Sequence, residues 1–229
     1  MLIDYICNLF KKPKTYHISI GENCLIDFLL KKYNLKEESF PFGAMRSNMD
    51  YNFAIIKDNF KHFLDKKYLY HSKHFKDKVI RNNYYKSPSK FINNYIDFEF
   101  SHFNVIENQT HIDSVKRKVN RFKKILKSKN KIVLLYHYRY HESNDLKGLV
   151  NQFRLFDNYL FKKYKRKNTK YIILSQVMKE DKKHYEIINL KKITVIKCFD
   201  KKEWVGDNFN AESFHNYFDK IFKRHIKNV

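Results

Sequence analysis

The sequence predicts an α/β protein built on an open, mostly parallel sheet with helices on both faces, a Rossmann-like three-layer sandwich carrying a small β-rich insertion. Three observations lead there. IVLLYHY (132–138), YIILSQ (171–176) and ITVIKCF (193–199) are near-continuous apolar runs, the pattern of strands buried on both faces. Segments of helical period separate them, which is the alternation of a parallel sheet. Four Gly and three Pro leave no long flexible linker, so the 229 residues are expected to form one domain over 1–229, with 66–104 as the insertion.

The elements follow in order. Residues 1–14 suggest a short helix or arm ended at Lys12-Pro13. Tyr16, Ile18 and Ile20 alternate as in a strand, and Gly21 breaks it. Leu25, Phe28, Leu29 and Tyr33 recur at helical spacing, with Asn34 suited to stop the helix. SFPFGAMRS follows as a turn marked by Pro41 and Gly43. Phe53, Ile56, Phe60, Phe63 and Leu64 predict a helix over 48–64. YLYHSKHF and VIRNNYY, joined by Lys76-Asp77-Lys78, predict a hairpin, and INNYIDFEF a further strand ending at Ser101–Asn104. Helices are expected over 112–126, 144–165, 180–189 and 211–226, with strands at 16–21, 132–138, 171–176 and 193–199.

The chain carries eight Arg and 39 Lys, a formal net charge of +23. Such charge favours phosphate-bearing partners, nucleic acid among them, although Lys is spread through every segment as in simple compositional drift. Cys7, Cys24 and Cys198 form no CxxC pair and no disulfide framework, which fits a reducing, cytoplasmic setting. No run approaches the roughly 20 apolar residues of a transmembrane helix. His71/His74 and His137/His141 lack partners at ligand spacing, so no metal is expected. Without a Walker loop or GxGxxG, no cofactor is expected either.

Sites in such sheets lie beyond the strand carboxyl ends. That rule collects Gly21 to Cys24, Asn23 among them, after the first strand, His137, Arg139 and His141 at the end of the second, Ser175 and Gln176 on the third, and Asp200 to Asp207, with Trp204, after the last. Cys24 falls at a helix start, where unpaired N–H groups and the dipole favour a thiolate. A buried structural thiol is the competing reading. Arg139 could hold a phosphate or carboxylate.

Ser19-Ile20-Gly21-Glu22-Asn23-Cys24, an apolar helix, then Pro41-Phe42 resembles a domain family of bacteria and large DNA viruses described as papain-like cysteine peptidases. That family's pattern is Ser-Leu-Gly-x-x-Cys followed by Pro-Phe-Asp-Trp; here Gly43-Ala44 replaces Asp-Trp. Asn59-Phe60 with Phe63-Leu64, Phe100–Phe103, Arg117 to Phe122 and Tyr138-Arg139 are similar to further family blocks. The resemblance implies Cys24 as nucleophile and His102 as general base, with Asp207 or Asn208 orienting the imidazole. Substrate would meet Gly21, Asn23, Arg46, Arg139, Ser175 and Trp204. Two other functions stay open: a glycan- or nucleotide-sugar-handling protein using the strand-end cleft, and a basic nucleic-acid-binding module.

Overall fold

A computed structural model of the chain describes residues 13–72, 79–89, 97–139, 146–177, 184–200 and 218–227. The expected arm at 1–14 lies almost wholly outside them, as do Cys7, His74, His141, Trp204, Asp207, Asn208 and Phe214. The chain order is β1 (Thr15–Ser19), α1 (Leu25–Lys32), α2 (Met49–Lys57), a 3-10 turn (Lys66–Tyr68), β2 (Leu69–Ser72), β3 (Val79–Asn82) and β4 (Phe98–Phe100). There follow α3 (Gln109–Lys127), β5 (Lys131–Tyr138), α4 (Leu146–Tyr164), β6 (Thr169–Val177), β7 (Tyr185–Leu190), β8 (Ile193–Phe199) and α5 (Asp219–Ile221), which continues as a π-helical turn (Phe222–Ile226).

The main sheet has the order β1-β5-β6-β8-β7. Its first four strands are parallel, and β7 runs antiparallel to β8 on the edge. Alternate residues of each strand feed two separate cores. Ile132, Leu134, Tyr136 and Tyr138 of β5, with Tyr171 and Ile173 of β6, pack under the face that carries α2, α3 and α4. Val133, Leu135, Ile172, Leu174, Ile196 and Cys198 face the other way, against α1 and the C-terminal helix. This is a three-layer α/β sandwich, as the apolar runs predict.

The helix expected over 180–189 is instead strand β7 from Tyr185 onward. Leu190 pairs with Ile193, so Lys191-Lys192 forms a two-residue hairpin turn, with Lys191 at φ 55°. Lys-Lys carries none of the Asn-Gly chemistry that advertises such a turn. The helix expected over 48–64 is also shorter. Asn48 caps it by accepting from the Tyr51 N–H at 3.1 Å. It closes in a Schellman motif, with Asn59 N–H bonded to Ile56 C=O and Phe60 N–H to Ile55 C=O, both residues at positive φ. The same closure ends α1, where Asn34 has φ 55° and Leu35 N–H reaches Leu30 C=O at 2.8 Å.

β2, β3 and β4 make a separate three-stranded antiparallel sheet. Its Ile80, Phe98 and Phe100 join the core beneath α2 and α3. Phe42 is central there, with ring centroids 5.8–6.4 Å from Phe60, Phe63, Phe98 and Phe122. Among the described residues no helix is long and apolar enough to cross a membrane.

Candidate active site at the strand carboxyl ends

The site begins where β1 runs out. Ile20 N–H still bonds Leu135 C=O, and His137 N–H bonds Gly21 C=O at 3.0 Å, so the turn stays attached to β5 through Glu22. Gly21 has φ +115°, and a Cβ there would sit 3.2–3.3 Å from Ser47 Oγ, Asn52 Nδ2 and Tyr136 Cε2. Only glycine fits that backbone in that space.

Asn23 and Cys24 open α1. Cys24 is the N-cap residue and its thiol is half-buried. The capping oxygen comes from Asn23, whose Oδ1 accepts the Leu25 N–H at 3.0 Å. His137 Nδ1 lies 3.4 Å from the same Oδ1. His137 is fully buried at the end of β5, and its pKa is pulled down to about 3, by burial first and then by the Arg139 charge. A neutral ring therefore donates its Nδ1–H to Asn23. Both donors fix the orientation of the Asn23 amide, and its buried Nδ2 has no hydrogen-bond partner among the described residues.

Glu22 was not assigned a role by the sequence, yet it is fully buried. Tyr136 donates its hydroxyl to Oε1 at 3.0 Å, and Arg139 places its guanidinium Nε 3.7 Å from Oε2. Arg139 thus clamps the turn from β5 with a buried counter-charge. The available signal was an acidic residue wedged between Gly21 and Asn23 in a chain with few acids.

The segment containing Arg46 links this turn to the small sheet. Glu22 and Ser47 form an antiparallel bridge, as do Arg46 and Glu99 of β4. Two antiparallel steps make the chain run the same way through Glu22 and Glu99, about two strand spacings, or ~10 Å, apart. Cys24 lies two residues after the first and His102 three after the second, in the turn that follows β4. His102 is exposed in the turn after β4, and its side chain has no hydrogen bond or ion pair among the described residues. The seam is rigid: Arg81 donates to Glu99 Oε2 from Nε at 3.1 Å and Nη2 at 2.9 Å, and Ser101 Oγ donates to Oε1.

Arg46 is half-exposed beside the bridge, and Ser175 is buried on β6, paired in register with Tyr138. No group of three or more His, Cys, Asp or Glu among the described residues could hold a metal. His71 pairs with Glu107 at 3.6 Å.

A scan against protein families matches residues 15–176 to the family described as "Putative papain-like cysteine peptidase". The chain belongs to this family. The matched span begins with β1 and ends within β6, so it contains the Gly21–Cys24 turn, the Arg46–Ser47 seam, β4 and His137–Arg139. No curated protein and no solved structure gives a match.

Family membership also clarifies what its signature residues do in this chain. Phe42, Phe60, Phe63, Phe100 and Phe122 are one packed cluster, so much of the signature is core. Position 43, where the family pattern has Asp, is Gly. A Cβ on Gly43 would lie 2.5 Å from Asp27 Oδ1, so a carboxylate from α1 already fills that space, and Lys36 neutralises it at 2.5 Å.

Proposed function

We propose that this chain is a cysteine-dependent hydrolase of peptide-type acyl bonds, with Cys24 as nucleophile and His102 as general base. The observation that carries the reading is the half-buried Cys24 at the start of α1, where Asn23 Oδ1 accepts the Leu25 N–H at 3.0 Å and fixes the first turn. Helix-start N–H groups and the dipole favour the thiolate. The thiolate attacks the carbonyl carbon, and the charge that develops on oxygen is held by N–H groups at the start of α1. Protonated His102 gives its proton to the leaving amine as the C–N bond breaks, leaving a thioester. Water then attacks that thioester, His102 takes its proton, and the acid and the Cys24 thiolate are released. Asp207 orients the imidazole in this scheme, Gly21 shapes the turn that presents Cys24, and Arg46 and Trp204 meet the substrate.

Glu22, two residues before Cys24, and Glu99, three before His102, bridge to the adjoining residues Ser47 and Arg46, which supports the pairing. A phosphate- or sugar-nucleotide-holding role for Arg139 has less support, because its guanidinium already faces the buried Glu22 carboxylate. The test is turnover of a fluorogenic acyl-peptide library by the wild type, Cys24→Ser, His102→Ala and Asn23→Ala. Loss of turnover in both Cys24→Ser and His102→Ala, with a fall in kcat in Asn23→Ala as the helix start loosens, supports the reading. Turnover in Cys24→Ser at the wild-type rate sinks it.

A further inference from the structure

A second site lies at the opposite end of α1 from Cys24. The loop after α1 and the outer face of α3 enclose a groove of about 670 Å³, and a second concavity of about 540 Å³ continues it along α3. The two share Glu38, Arg117 and Arg121, so they form one channel beside the free edge of β1. Lys31, Lys36, Arg117, Lys118, Arg121 and Lys124 line it. Arg117, Arg121 and Lys124 succeed one another at helical spacing over about 10 Å of α3.

The acidic residues in the groove do not cancel this charge. Glu38 pairs with Arg121 at 3.3 Å, and Glu37 is held by Lys14. Arg121 also donates to Ser39 C=O at 2.6 Å, which fixes the loop against α3. The exposed side chains of Lys31, Arg117 and Lys124 have no ion pair among the described residues. Lys118 is half-buried, its ammonium 3.9 Å from the centre of the Phe103 ring. Burial lowers its pKa to about 8; the Asp27 carboxylate opposes that shift, and the Lys36 and Arg121 charges add to it.

We propose that this groove binds the phosphodiester backbone of a single-stranded nucleic acid. The basic residues follow a line, as a chain of phosphates would, and are set in a concave channel instead of a flat face, which a membrane would need. Ser114, Asn120 and Asn130 add neutral donors suited to phosphate oxygens, and the half-exposed Tyr16 ring offers a stacking surface. The site is independent of the Cys24 chemistry.

The experiment is fluorescence anisotropy of a labelled oligo-dT strand across a salt series, using the full chain. Arg117→Glu with Lys124→Glu is compared with Lys147→Glu with Lys162→Glu, exposed α4 positions outside the groove that change net charge equally. The groove pair should weaken binding about tenfold or more and reduce the log–log salt slope by about two, while the α4 pair changes affinity by less than about threefold. Hydrogen exchange of the wild type should show protection by the strand at 31–39 and 114–130. Equal loss in both pairs would reduce the effect to net charge and overturn the proposal. So would unchanged exchange over those segments, or competition by phosphatidylserine vesicles as effective as by unlabelled strand.

Discussion

Burial sets the chemistry of single side chains around the candidate site. His137 is neutral because its site is dry and Arg139 is near. Its pKa falls from an ordinary 6.5 to about 3, so between those values the unfolded chain binds the proton and the folded one does not. Stability should therefore fall as pH drops below about 6.5, and urea midpoints of His137→Gln should fall less steeply over that range than those of the wild type. Lys118 gives a slope of the same sign in a higher pH window. With its pKa lowered from 10.5 to about 8, the folded state gains stability as pH rises from about 8 to 10.5. Lys118→Met should raise the melting temperature at neutral pH, with the gain shrinking above that window. At Gly21 the constraint is steric. Gly21→Ala places a side chain at φ +115° against Ser47, Asn52 and Tyr136, and should cost about 1–3 kcal/mol in denaturant unfolding.

Between elements, a few buried polar clamps hold the layers in register. Arg166, just after α4, donates to Ile125 C=O at 2.9 Å and Ser128 C=O at 2.8 Å, and also to Asn130 C=O. One guanidinium thus caps α3 and fixes the turn into β5. The Arg81–Glu99 pair does the equivalent work for the small sheet, at 5% and 4% exposure. Glu99→Gln leaves Arg81 buried against a neutral partner and should cost about 3–5 kcal/mol, measured by urea unfolding; a loss below about 1 kcal/mol would show that the seam does not depend on it. These clamps were invisible in the sequence, since Arg81, Glu99 and Arg166 have no local pattern and meet only through the fold. The apolar runs at 132–138 and 171–176 were legible because burial on both faces leaves a continuous signature. β7 was not, because its Tyr185, Ile187, Ile188 and Leu190, which pack against both cores, also fit the spacing of a short helix, and a Lys-Lys turn gives no turn signal.

For the whole molecule, three elements converge on one turn. β1 delivers Gly21 to Cys24, β5 supplies His137 and Arg139, and the Arg46–Ser47 segment joins the turn to β4. The Ser-Ile-Gly-Glu-Asn-Cys motif made Cys24 and Gly21 legible from the sequence. Glu22, Tyr136 and the orphaned Asn23 amide were not, since each acquires its role through partners more than a hundred residues away or through their absence. In the proposed chemistry Cys24 reacts as an activated thiolate. The direct measurement is the pH dependence of iodoacetamide labelling at each cysteine by mass spectrometry, with buried Cys198, whose thiol burial pushes up, as internal control. Cys24 is expected to label fast below about pH 7, while Cys198 stays unlabelled in the native state. If Cys24 instead reacts only as pH approaches the ordinary thiol range of about 8.5, the nucleophile assignment is contradicted.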